Sequence, residues 1–299
     1  MHRHLAVWLT EHPWRAAMIA AGLGVLSLQG AVLFVVLASA VPVLVILERG
    51  PRAGINVMLA GCAAIIGTLL WLQQPLWFGL AYAAALFGLP VLSGELLRRF
   101  GSLNLVFQLM LALALLTIAL VFALLLEPTA IWEQLLGQAL NALLQAGFTM
   151  DATLVARLAQ TMWGAFVAVL TLVNISALLL ARWWQSLLHA PGEFGREFRE
   201  LRSGVVLGTL LVMVAVAALI ADFAWLDSMA WVAMMGLALQ GLAAAHRRKA
   251  EGGLQRGWLV AIYVMLIVPL FSFITVALLA GWGLADFWRR MRVGAARPS

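Results

Sequence analysis

The sequence predicts an all-α protein: a polytopic transmembrane helical bundle of 8–10 membrane segments, with short hairpins at both ends and both termini cytoplasmic. Three observations carry this reading. Seven runs without a charged residue, at 16–47, 53–94, 100–126, 158–181, 203–221, 228–245 and 257–285, each reach 18 or more residues. That is the length of helix that crosses a hydrocarbon core about 30 Å thick. The chain is 64% hydrophobic and 11% charged, with a mean hydropathy of +1.01, against about 25% charged in an average soluble domain. Finally, the basic residues fall in alternate connections between the runs, the asymmetry that sets orientation in a membrane.

The elements follow in order. Backbone polar groups in lipid must pair internally, as helices or a closed barrel. The runs lack the two-residue alternation of barrel strands, so they read as helices. As one helix, the 32 residues of run 16–47 would be roughly 48 Å long, so it reads as a hairpin turning near Gln29-Gly30 and not as a cleavable leader. The 42-residue run 53–94 is broken by Gln73-Gln74-Pro75 into two helices. Runs 100–126, 158–181, 203–221 and 228–245 are single spans. Run 257–285 is divided by Pro269, which kinks or breaks a helix.

Charge decides between hairpins and single spans at the two ends. With hairpins, 18 of the 19 Lys and Arg lie on one side with 8 acids, and Arg157 alone faces five acids on the other. With single spans, Arg3, Arg15, Arg289, Arg290, Arg292 and Arg297 cross over and the split weakens to 12 against 7. The positive-inside rule favours hairpins, hence ten segments, four of them short. Glu95-Leu-Leu-Arg98-Arg99 and Asp286-Phe-Trp-Arg289-Arg290 read as one anchoring device, an acid with arginines at i+3 and i+4. Under this reading residues 1–299 form a single integral membrane domain carrying an outer amphipathic loop, 127–157, and an inner one, 190–202.

In the outer loop, Trp132, Leu135, Leu136, Ala139 and Leu143 recur at helical spacing opposite Glu133, Gln134, Gln138 and Asn141, with Thr149 or Asp151 capping the next helix. This suits a surface helix shielding the bundle, or a lid. In the inner loop, Phe194, Phe198 and Leu201 stand at i, i+4 and i+7 among charges that cancel. A lipid-seeking helix would be basic; a balanced one packs on the protein's own helices or on a partner.

No H-E-x-x-H, G-x-S-x-G, phosphate-binding loop or cysteine pair is present, so no enzyme chemistry and no cofactor are expected. Cys62 is the single cysteine, which excludes an intrachain disulfide. His2, His4 and His12 read as part of a solvated leader. The basic balance belongs to membrane topology and lipid headgroups, so the partners are the lipid bilayer and a membrane or cytoplasmic protein, not nucleic acid. The amides within the runs are Gln29, Asn56, Asn104, Gln108, Asn174 and Gln240. Such groups bridge helices or line a binding site, and Gln29, Asn56 and Asn174 are the candidate ligand residues.

The inner loop P-G-E-F-G-R-E-F-R-E-L-R at 191–202 and the stretch G-L-A-D-F-W-R at 283–289 resemble the YybS-like bacterial membrane proteins, whose domain has no known function. That family is distantly similar to the substrate-binding subunits of energy-coupling-factor vitamin transporters. The likeness lies in a short N-terminal helix pair, a glycine-containing turn (here Arg49-Gly50-Pro51-Arg52-Ala53-Gly54) and an Ala-x-x-x-Ala face, here Ala16 and Ala20. The resemblance implies that Ala16 and Ala20 meet a transmembrane coupling subunit. The expected function is a substrate-binding or transport component of a bacterial inner membrane that needs an energising partner. The alternative is a membrane scaffold that recruits cytoplasmic proteins through Phe194, Phe198 and Leu201.

Overall fold

The computed structural model describes residues 2–146 and 152–295; the capping residues expected at Thr149 or Asp151 lie outside them. The described residues form helices and no strand. In order these are α1 (His2–Glu11), α2 (Pro13–Ser27), α3 (Val32–Arg49), α4 (Pro51–Trp71) and α5 (Leu76–Ala83). A π-helical turn (Ala84–Gly88) carries α5 into α6 (Leu89–Phe100), followed by α7 (Leu103–Leu124), α8 (Pro128–Gln145), α9 (Ala152–His189) and α10 (Glu193–Arg199). The chain ends with α11 (Val205–Ile220), α12 (Ala224–Ala250), α13 (Arg256–Ile267) and α14 (Pro269–Ala295). Among the described residues seven stretches are long and apolar enough to cross a membrane: α3, α4, α5 through α6, α7, α9, α12 and α14. The protein is a multi-pass membrane helical bundle.

The chain forms two compact units, Met1–Phe107 with Leu170–Phe198, and Gln108–Val169 with Arg199–Ser299. In the first unit the N-terminal run is a hairpin. The chain turns through residues 28–31, where Gly30 takes φ 77°, and α3 returns until the Arg49 guanidinium reaches the Glu11 carbonyl at the end of α1. Gly50, at φ 90°, and Pro51 at the first helical position then reverse the chain into α4 with no further loop. Gly54 sits against the Pro42 carbonyl and Ile46 side chain of α3, with no room for a Cβ. Parallel to α2, α4 brings Ile65 beside Gly24. The fully buried Phe87 ring enters the notch left by Gly24 and Gly61. The Leu86 carbonyl, inside the π turn, accepts a 2.7 Å hydrogen bond from Ser39 Oγ.

The helices α3, α6 and α9 finish at the same end of this unit, since Gly94 lies against Val43 and Gln185 Nε2 donates to the Leu47 carbonyl. Glu11, Arg15, Glu48, Arg49, Arg98, Arg99, Arg182 and His189 all gather there. The opposite turns, 28–31 and 72–75, contain no charged residue.

In the second unit α12 and α14 run parallel. Trp231 meets Phe273 at one end, with ring centroids 6.2 Å apart, and Arg247 pairs with Asp286 at the other. Between them Gly241 abuts the Leu279 carbonyl and Gly283 the Leu237 carbonyl. A single span over 257–285 would have run antiparallel to α12. The chain is instead reversed by α13, which ends where Val268 is extended and Pro269 offers no N–H. Both terminal runs are therefore hairpins, but their arms are unequal. Of the four arms expected to be short, α3 reaches 18 residues by continuing through Glu48-Arg49, and α14 reaches 27 by continuing through Asp286–Arg292. Only α2 and α13, at 15 and 12 residues, stay short.

The outer loop does form a helix, α8, tied by Trp163 Nε1 to the Pro128 carbonyl at 2.7 Å. Its expected apolar face is only partly used. Trp132 packs on Trp163 and Phe166, whereas Leu135 and Ala139 are exposed.

The glycine seam between α12 and α14 generates a prediction. Gly241→Ala and Gly283→Ala should each destabilise the protein by about 1–3 kcal/mol, the usual cost of forcing extra carbon into a packed interior. The readout is the melting temperature in detergent, and unchanged melting of both variants would contradict the seam.

Candidate functional site

A buried polar arrangement lies in the second unit, where the chain between α10 and α11 is not helical. Residues 201–204 run irregularly, ending at Gly204 with φ 71°. Their backbone groups need partners from elsewhere, because an unpaired buried N–H or C=O costs about as much as a lost hydrogen bond. Side chains provide them. Gln240 Oε1 accepts from both the N–H (3.0 Å) and the hydroxyl (2.9 Å) of Ser203. Its Nε2 donates to the Gly283 carbonyl at 3.3 Å, so this fully buried amide joins α12 to the connector and to α14. Gln108 Nε2 donates to the Arg202 carbonyl at 3.2 Å, and Arg247 Nη1 to the Arg199 carbonyl at 3.1 Å.

Arg247 also pairs with Asp286 Oδ1, while Arg290 Nε takes Asp286 Oδ2 at 3.0 Å. The carboxylate is buried, and both of its oxygens are held by guanidinium groups. This departs from the expected equivalence with Glu95. Glu95 pairs with Arg98 at 3.0 Å and Arg99 at 2.6 Å, both on its own helix. Asp286 uses its i+4 arginine and then reaches across to α12, because the glycine seam brings the two backbones close enough. One acid is a local helix-end anchor; the other is a cross-link between helices.

The candidate ligand amides do not converge. Gln29 is exposed in the turn between α2 and α3, and Asn56 is exposed near the start of α4. Since Gly24 is level with Ile65, the two are about 20 Å apart along the axis. Asn174 is buried, its Nδ2 donating to the Leu170 carbonyl of its own helix at 2.6 Å, and its Oδ1 has no hydrogen-bond partner. Ala16 and Ala20 are fully buried inside the first unit, where α2 packs on α3 and α4.

The inner-loop stripe is also rearranged. Only Phe194 and Phe198 lie on α10, their half-buried rings stacked at 5.9 Å. Leu201 falls beyond the helix end and is buried, because the hydrogen bonds to Gln108, Gln240 and Arg247 stop the helix before it completes the i+7 turn. Within the first unit Arg182 of α9 clamps α10, with Nε and Nη2 on the two oxygens of Glu197 at 2.9 and 2.5 Å and Glu193 at 3.1 Å.

His189 Nε2 lies 2.7 Å from Glu48 Oε2, and His246 Nε2 lies 2.8 Å from the Tyr263 hydroxyl. Among the described residues no three His, Cys, Asp or Glu side chains are grouped to hold a metal ion. No family model, curated protein or solved structure matches the chain.

The polar centre should be a stability determinant. Gln240→Leu strands the Ser203 N–H and hydroxyl, at about 1–3 kcal/mol for each buried group left unpaired. Equilibrium unfolding in detergent should show a loss well above that of Asn56→Leu at an exposed position of α4; equal losses would remove Gln240 from this role.

Proposed function

We propose that the protein is a non-enzymatic, multi-pass component of a bacterial cytoplasmic membrane that acts as a scaffold, recruiting a cytoplasmic protein through loop 190–202. The observation that carries this reading is the Arg182 clamp. By engaging Glu193 and Glu197 it fixes the acidic side of α10 and leaves the stacked Phe194–Phe198 pair partly open. An ordered aromatic pair contacts a partner with little further loss of side-chain freedom, which favours binding. The cytoplasmic assignment is supported by the charged end of each unit, since basic residues stay on the cytoplasmic side.

A second reading, a substrate-binding or transport component that needs an energising partner, is favoured by Asn174. A buried amide oxygen without a partner suits a ligand donor. The amides Gln29 and Asn56 lend it no support from their positions, and the Ala16–Ala20 face that the family resemblance assigns to a coupling subunit is already occupied within the chain.

Two outcomes are expected. Reporter fusions after Leu47 and after Arg292 should both read cytoplasmic and one near Gln145 external; an external reading after Arg292 would break the proposed sidedness. Phe194→Ser with Phe198→Ser should abolish co-purification of the partner with melting in detergent unchanged. Retained co-purification would dismiss the scaffold, and a ligand-induced rise in melting temperature that Asn174→Leu removes would install the transport reading instead.

A further inference from the structure

The N-terminal helix α1 has three distinct faces. Ala6 and Leu9 are fully buried against the first unit. Leu5 and Trp8, 45% and 38% exposed, stand one sector round, and His4 and Glu11 form the exposed polar sector beyond them. The Thr10 hydroxyl is satisfied within the helix, donating to the Ala6 carbonyl at 2.9 Å. At His12-Pro13 the chain breaks and turns into α2. An apolar strip set between a core face and a polar face is the arrangement of a helix lying in the membrane plane.

The strip continues onto an exposed apolar surface of α2. Trp14, Met18 and Leu26 of α2 are exposed at 58%, 55% and 39% and recur on one helical face with Gly22. Arg15 joins the two strips, its guanidinium 5.3 Å from the Trp8 ring centroid and 5.6 Å from that of Trp14, with Nη1 on Glu11 Oε2 at 2.8 Å. Tryptophan with arginine is the composition of the headgroup level, and the site lies at the charged end of the unit.

We propose that α1 is an in-plane anchor that seats Leu5 and Trp8 among the acyl chains at the charged end of the first unit, with Arg15 at the depth of the lipid phosphates. The occupant of this face is the lipid leaflet, and the inference rests on the membrane-embedded fold.

The test uses the full chain, with Cys62→Ala, in vesicles of phosphatidylethanolamine and phosphatidylglycerol. Single cysteines replacing His4, Leu5, Trp8 and Glu11 are spin-labelled in turn, and collisions with oxygen are compared with those of a water-soluble nickel chelate. Positions 5 and 8 should collide mainly with oxygen and positions 4 and 11 mainly with the chelate. Chelate access at all four would show a solvated helix and overturn the proposal. Protection of 5 and 8 from both reagents would show a protein cover and overturn it equally. Met18→Cys on α2 serves as the membrane reference; chelate access there would instead overturn the embedded fold on which the proposal rests.

Discussion

A buried backbone group needs a hydrogen-bond partner, so where this chain leaves the helix inside the bundle its backbone depends on side chains for partners. The 201–204 connector is one such interruption, and Gln240, Gln108 and Arg247 meet it from α12 and α7. The π turn in the first unit is a smaller one, met by Ser39. These contacts determine where α10 stops, where α11 starts and why α12 lies beside the connector. The polar residues of the spans are accordingly few and mostly committed.

Close helix approach does the rest. In lipid, association gains little from burying apolar surface and relies on backbone contact and packing. Gly24, Gly54 and Gly61 in the first unit, and Gly241 and Gly283 in the second, each remove a side chain where a neighbouring helix arrives. The proximity created at Gly241 and Gly283 is also what lets Asp286 reach Arg247. Packing and electrostatics at this seam are thus one device: the charge pair is held at a distance that the glycines set.

The helical class, the break near Gln29-Gly30 and the hairpin at Pro269 were legible in the sequence because they follow from apolar length, proline chemistry and charge counting. The polar centre was not. Gln108 and Gln240 stood among six amides with nothing local to distinguish them, and their partners are 94 and 37 residues away in the chain. The i, i+4, i+7 spacing of Phe194, Phe198 and Leu201 promised one helical stripe, and tertiary hydrogen bonds to residues 199–203 overrode it. Asp286 looked like Glu95 because the acid–arginine spacing is the same; only the position of α12 separates a surface anchor from a cross-link. Gln29 and Asn56 were attractive as apolar-run amides, yet both sit near helix ends where water or headgroups can satisfy them.

The parallel course of α12 and α14 also has a consequence for how the protein is made. Neighbours in a simple up-and-down bundle can pair as soon as the second one emerges from the ribosome, but two helices of the same direction cannot pair until the segment between them has doubled back. Gln240 therefore enters the membrane before its Gly283 acceptor exists, and Arg247 before Asp286. Until α13 and α14 arrive, the Gln240 amide has only Ser203 and the Arg247 guanidinium only the Arg199 carbonyl among their final partners. The α13–α14 hairpin thus completes α12, and assembly of the second unit is tied to translation of α14.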